Sequence, residues 1–331
     1  MAVLAVLGAG AWGTALSAAL CARHRVTLWA RDPAQARAIS VTGRNERYLP
    51  EIALPEPLAV SAQLESALEG AELLLAATPV AGLRDLAERL AALRAHSQLV
   101  WLCKGFEQDT GLLPHEVIAE ALGAGERCGA LSGPSFALEV ARGLPCALTL
   151  ASRDAEFARS AAALLHGRRM RVYYSTDLVG VEVGGAVKNV MALAVGIADG
   201  LGLGQNARAA LITRGLAEIA RLGSAMGGAP ETFMGLAGAG DLILTATGDL
   251  SRNRRVGLEL ARGRPLGEIL AALGHVAEGV RSAKEVAKRA AALGVEMPIT
   301  EAVNAVLDGR LSPPQAVEQL LAREPKGEGP M

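Results

Sequence analysis

Short uncharged runs alternate with longer Ala- and Leu-rich stretches through the first half of the chain. Residues 2–7, 25–30, 72–77, 98–102, 128–131, 147–151 and 171–174 read as buried strands. Residues 11–22, 80–93 and 154–165 fit helical spacing instead. Such alternation predicts a doubly wound, mainly parallel sheet with right-handed crossovers. Beyond residue 176 the strands give way to helical periodicity over 177–200, 207–222, 254–261, 280–293 and 300–307. Pro313-Pro314 opens a last short helix, with Ser312 as its cap. The expected organisation is an α/β Rossmann-type doubly wound sheet in residues 1–176 and an all-α C-terminal domain in 177–323. Residues 324–331 form a polar tail.

The junction between the first strand and the first helix reads Gly8-Ala9-Gly10-Ala11-Trp12-Gly13. This is the dinucleotide-binding fingerprint in its strand-to-helix setting. Gly8 permits a tight turn, Gly10 leaves room for a pyrophosphate, and Gly13 lets helix and strand pack closely. The helix N-terminus then offers free N–H groups and partial positive charge to the phosphates. The next strand ends at Arg31-Asp32, where a ribose-reading residue belongs. An acid there suits a free 2′-hydroxyl and an arginine a 2′-phosphate, so the pair predicts NADPH use with NADH tolerated. The same two residues also read as a solvated strand end.

Composition narrows the options. The chain has 331 residues, is 51% hydrophobic and carries a net charge of -1, which fits two globular domains and excludes a nucleic-acid footprint. Cys21, Cys103, Cys128 and Cys146 show no Cys-x-x-Cys spacing and read as reduced thiols of a cytoplasmic protein. No His-x-x-x-His pair occurs, so no metal site is expected. The uncharged residues 1–22 lack the basic flank of a signal peptide, and their glycines speak against a membrane span.

Lysine is scarce: Lys104, Lys188, Lys284, Lys288 and Lys326. The last three sit among charges or in the tail. Lys104 follows a strand end, the usual ligand position of such sheets. Lys188 lies in Gly184-Gly185-Ala186-Val187-Lys188-Asn189, inside an apolar helix whose paired glycines imply a close neighbour. It reads as a general acid/base with its pKa drawn down towards about 7–8, or else as a lysine that snorkels to solvent. Ser132-Gly133-Pro134-Ser135-Phe136 reads as a second strand-end cluster or simply a helix cap. Gly238-Ala239-Gly240-Asp241 supplies a carboxylate with Thr245 after it. Ser251-Arg252-Asn253-Arg254-Arg255 reads as an anion-binding set or a solvated helix start.

Together these stretches resemble the bacterial NAD(P)-dependent glycerol-3-phosphate dehydrogenase family over nearly the whole chain. Asn206-Ala207-Arg208, Ile212-Thr213-Arg214-Gly215, Val276-Ala277-Glu278-Gly279 and Glu296-Met297-Pro298-Ile299 extend the likeness. One departure is Cys103 in Cys103-Lys104-Gly105, where the family often has Thr or Ser. The resemblance implies interconversion of dihydroxyacetone phosphate and sn-glycerol 3-phosphate, feeding phospholipid synthesis. It implies that Lys188 exchanges the proton on the C2 oxygen, with Asp241 beside it. Lys104 would touch both substrate and cofactor. Gly133, Ser135, Ser251, Arg252 and Asn253 would line the glycerol phosphate site. Trp12, Thr14, Arg31, Tyr48, Ala137, Val276 and Glu278 would touch the dinucleotide, with Arg252 shared between the two. A cytoplasmic homodimer is the expected form. The rivals are a 3-hydroxy acid dehydrogenase of similar build and a non-catalytic NADPH sensor, the latter leaving Lys188 and Asp241 without a role.

Overall fold

The computed structural model describes residues 1–94, 98–123, 127–273 and 277–324. Its first half holds the strands β1 (Val3–Leu7), β2 (Arg25–Trp29), β3 (Arg44–Asn45), β4 (Leu49–Ala53), β5 (Ala59–Ser61), β6 (Leu73–Ala76), β7 (Gln98–Trp101), β8 (Cys128–Ser132), β9 (Cys146–Ala151) and β10 (Met170–Ser175). Between them lie α1 (Ala11–Leu20), α2 (Pro33–Thr42), α3 (Leu64–Leu68), α4 (Leu83–Ala92), α5 (Pro114–Leu122), α6 (Ala137–Ala141) and α7 (Ala155–Leu165). The second half is helical: α8 (Leu178–Gly200), α9 (Gly204–Ala225), α10 (Pro230–Phe233), a π-helical turn at Leu236–Gly240, α11 (Asp241–Thr247), α12 (Arg252–Ala261), α13 (Leu266–Leu273), α14 (Glu278–Ala292), α15 (Pro298–Leu307) and α16 (Pro313–Leu321).

Eight strands form one sheet in the order β10-β9-β8-β7-β6-β1-β2-β5. Neighbours are parallel except β8 and β9, so β9 and β10 run against the rest. The chain moves outward from β1 through β2 to β5, then returns to β6 on the other side of β1. That reversal is the switch point at which ligands of open α/β sheets bind. Gly8 and the Ala77-Thr78 backbone flank it.

Each seven-strand expectation is met to within a residue or two. The segment between Asp32 and Ser61, left without elements by periodicity, holds α2, the β3–β4 hairpin and the edge strand β5. A two-residue and a three-residue strand carry too few side chains to show alternation. Helix α12 begins at Arg252 rather than at residue 254, because Ser251 Oγ caps it by accepting from the Arg254 N–H at 3.2 Å. Ser312 caps α16 with Gln315 answering from the third position, as the sequence implies. Residue 324 is described; the rest of the expected tail lies outside the described residues.

The helical half is organised around α8. This helix is long and apolar enough to cross a membrane by length and composition, but 94% of its apolar window is buried within the protein. Val183, Val187, Val190 and Leu193 pack with Ile219, Leu222, Phe233, Leu242 and Val256. Its first turn belongs to the sheet's core, where Leu178 and Val181 join Trp101, Leu99 and Ala130. Helices α8 and α12 touch backbone to backbone. A Cβ on Gly196 would lie 2.1 Å from the Arg254 oxygen, and one on Gly257 2.2 Å from the Leu193 oxygen. Gly257→Ala is therefore expected to lower stability by about 2 kcal/mol or more. Gly267→Ala, in an exposed turn of α13 with nothing near, is expected to be neutral or to stabilise by up to ~1 kcal/mol. Urea unfolding of the two variants measures the contrast.

Candidate active site

Three charged side chains from different elements meet beneath the switch point. Lys188 comes from the middle of α8, Lys104 from the loop after β7, and Asp241 from the first turn of α11. Asp241 is 1% exposed and Lys188 6%. Lys104 Nζ donates to Asp241 Oδ2 at 2.5 Å and to the Gly133 carbonyl at 3.2 Å. Lys188 Nζ donates to Asp241 Oδ1 and, at 2.8 Å, to Thr245 Oγ1. Lys188 thus faces a buried carboxylate and not solvent. The paired glycines expose what approaches them: a Cβ on Gly184 would lie 2.7 Å from the Ala237 oxygen, and one on Gly185 3.0 Å from Ser132 Oγ and 3.4 Å from the Lys104 stem.

Electrostatics follow from this geometry. Burial, which disfavours the ammonium, brings Lys188 down to about 7; Asp241 opposes that shift and the Lys104 charge reinforces it. Burial pushes the Asp241 carboxyl upward, but the two ammonium groups outweigh it and hold the group below its ordinary value. The result is an ionised carboxylate joined to an amine that titrates near neutrality.

Gly133 sits at φ +134°, and a Cβ there would meet the Ala147 oxygen at 3.0 Å. Its carbonyl accepts from both Lys104 and Ser135 Oγ, the latter at 3.0 Å. Asn253 is buried and donates to Asn189 Oδ1 at 2.9 Å, while its own oxygen accepts from the Gly279 N–H at 2.9 Å. These bonds fix α12 against α8 and α14. Arg254 is committed to Asp199 and Asp249, so of the basic run Arg252 and Arg255 face solvent. Arg252 lies within electrostatic reach of Glu278 and Tyr48. Burial raises the Glu278 carboxyl, with Arg281 and Arg252 pulling it back.

The glycine-rich loop fits a dinucleotide. A Cβ on Gly8, at φ +130°, would strike the Ala77 oxygen at 2.8 Å, and one on Gly13 the Gly8 oxygen at 2.0 Å. Gly10, by contrast, looks onto open space. The α1 N-terminus has no side-chain cap, and Thr78 Oγ1, at the same strand-end crevice, is buried without a partner among the described residues. A cradle of this kind suits a pyrophosphate. Trp12 and Ala137 share a small apolar cluster beside it.

One expected contact is turned away from the crevice. Thr14 is fully buried and its Oγ1 accepts from Asn45 Nδ2 at 2.7 Å, so its hydroxyl faces the hairpin and not the crevice. Asp32 Oδ1 accepts from the Ala34 N–H at 2.9 Å and caps α2, and both Arg31 and Asp32 are exposed at that strand end. Val276 lies outside the described residues. Thr245, Asn189 and Asn45 take part in this region although none was expected as a site residue. No group of three or more metal-ligating side chains occurs among the described residues.

Comparison with known proteins places this arrangement. Residues 3–158 match the NAD-dependent glycerol-3-phosphate dehydrogenase N-terminus and residues 177–318 the C-terminus of the same family. The chain belongs to that family. It is 62% identical to the glycerol-3-phosphate dehydrogenase (NAD(P)+) of Dechloromonas aromatica, across 98% of this chain and 99% of the relative. The protein of that name from Aromatoleum aromaticum is 59% identical, with 98% and 99% covered. Among solved structures, the Coxiella burnetii glycerol-3-phosphate dehydrogenase superposes with a TM-score of 0.92 at 43% identity, covering 97% of this chain and 99% of that one.

The opposing influences on Lys188 can be separated. Removing the Lys104 charge in Lys104→Ala is expected to raise the Lys188 pKa above about 7, and removing the Asp241 charge in Asp241→Asn to lower it. Carbon-13 NMR of the lysine side chains reads both shifts, since the chain has only five lysines to resolve.

Proposed function

We propose that the protein catalyses reversible hydride transfer between NADPH or NADH and dihydroxyacetone phosphate, forming sn-glycerol 3-phosphate. Membership of the family supports the reaction. The observation that carries the mechanism is Lys188, a buried amine titrating near neutrality and held by Asp241 and Thr245. A bound nicotinamide supplies the hydride to C2 during reduction and takes it back during oxidation. Lys188 handles the accompanying proton at the C2 oxygen. An ammonium has three N–H bonds; two point at Asp241 and Thr245, and the third is left for the substrate oxygen. During reduction Lys188 gives that proton, and during oxidation the neutral amine receives it. Asp241 orients the amine and Lys104 brings a second positive charge to the polarised oxygen.

The phosphate end calls for fixed donors. Arg252 begins α12, where the guanidinium fork and the helix N-terminus both favour an anion. Ser135 and the Gly133 turn, joined to Lys104 through one carbonyl, supply the opposite wall. Binding energy from the phosphate then orients C2 at a distance from the contact that provides it. Ser251 and Asn253, which line the same site, also hold the helix start from which Arg252 extends. Arg31 favours the 2′-phosphate of NADPH. The reading extends to a homodimer in the cytoplasm supplying glycerol phosphate for lipid synthesis, which the free state of all four cysteines supports.

Oxidation of NADPH and then NADH by the purified protein with dihydroxyacetone phosphate, followed by absorbance, tests the reaction; no turnover with either defeats it. Lys188→Ala is expected to lower kcat by about 10²–10⁴-fold, and near-normal turnover in that variant removes Lys188 from its role. The pH dependence has a definite sign. Reduction needs the ammonium, so its rate is expected to fall as pH rises through about 7; oxidation needs the amine and is expected to climb through the same value.

A further inference from the structure

Behind the glycine-rich loop, and outside its motif, lie two primary amides. Asn45, on β3, is 1% exposed. Its Nδ2 donates to the Ala9 carbonyl at 2.9 Å and to Thr14 Oγ1 at 2.7 Å. Gln35, on α2, donates to the same Ala9 carbonyl at 2.8 Å, and its Nε2 lies 3.4 Å from Asn45 Oδ1. The Ala9 oxygen is therefore gripped by two donors from elements that periodicity did not detect.

A trans peptide is planar, with its C=O and N–H on opposite sides. Anchoring the Ala9 oxygen against the hairpin turns the Gly10 N–H away from it. That is the side on which the loop must offer N–H groups to an anion. The second hydrogen of the Asn45 amide ties Thr14, in the first turn of α1, to the same anchor, so loop and helix N-terminus are set as one unit. Only a primary amide supplies two donors and an acceptor from this position. We infer that Asn45, assisted by Gln35, is a positioning residue for dinucleotide binding, orienting the Ala9–Gly10 peptide toward the pyrophosphate before the nucleotide arrives. This rests on the dinucleotide reading given above.

The test is nucleotide affinity, read from quenching of tryptophan emission on titration with NADPH and with NADH. Asn45→Ala is expected to raise both dissociation constants by about tenfold, the usual weight of one lost hydrogen bond to a buried acceptor. The factor is expected to be equal for the two cofactors because they share the pyrophosphate. Gln35→Ala, at a half-buried position that threatens folding less, is expected to act in the same direction. Together the two changes should fall short of the product of the singles, since both act on one carbonyl. In turnover the loss should appear in KM for the nucleotide far more than in kcat. Unchanged affinity in a folded Gln35→Ala or Asn45→Ala protein overturns the inference. So does a loss confined to one cofactor, which marks a contact at the adenosine end. If the unaltered protein binds neither nucleotide, the dinucleotide reading itself fails, a result distinct from either.

Discussion

A buried carboxylate shared by two ammonium groups is the constraint on which the site depends. Asp241 is placed by α11, Lys188 by α8 and Lys104 by the loop after β7, so no one element creates the cluster. Two buried charges and a half-buried third would be untenable without partners; paired, they still cost desolvation that only close geometry offsets. The cluster with both lysines protonated carries a net positive charge. That surplus suits an anionic substrate and a carbonyl oxygen gathering negative charge. The near-neutral titration of Lys188 comes chiefly from its burial; Asp241 opposes that shift and the second ammonium, Lys104, adds to it.

Lys104 and Lys188 come from opposite halves of the chain, and a second buried group keeps them in register. Glu182 lies on α8, six residues before Lys188 and so about 9 Å along the helix axis. It accepts from Trp101 Nε1 at 2.8 Å and from the His115 N–H at 2.9 Å, and it pairs with the His115 ring. Trp101 ends β7, three residues before Lys104. The sheet and the helix are thus bolted together one layer below the site, which limits how far the two lysines can drift apart. Asp199 does the same at the other end of α8, holding Arg208 of α9 and Arg254 of α12.

Local patterning made much of this legible. The glycine spacing, the strand that precedes it and the lysine buried among glycines are all visible within a dozen residues of themselves. What escaped depends on contacts between distant positions. Asn45 meets Ala9 across 36 residues, and Glu182 meets Trp101 across 81. Nothing around either residue signals a partner: Asn45 sits in a two-residue strand, and Glu182 has only valines and glycines beside it on α8. The resemblance places Thr14 against the dinucleotide, but its hydroxyl is engaged inward by Asn45. Asp32, in the pair read as meeting the ribose or solvent, gives one carboxylate oxygen to the start of α2. Motif position identifies the neighbourhood, but the donor and acceptor needs of the backbone decide which way a side chain turns.

Helix α8 shows why the site needs a sequence that is poor by helix standards. It carries five glycines in 23 residues, each costing about 1 kcal/mol against alanine in a helix interior. The long buried face supplies compensation through packing, yet the glycines do more than lower propensity. Gly184 lets the Ala237 carbonyl approach where a Cβ would lie 2.7 Å away. Ala237 is four residues before Asp241, so this approach sets how near α11 stands to Lys188. Gly196 and Gly257 allow the same intimacy between α8 and α12, which carries Arg252. A stronger helix former at these points would hold the neighbouring helices further off. The separation of Lys188 from Asp241 would then exceed a hydrogen bond, and the amine would keep its burial but lose its counter-charge. The glycines that weaken α8 as an isolated helix are therefore what bring its lysine within reach of the carboxylate.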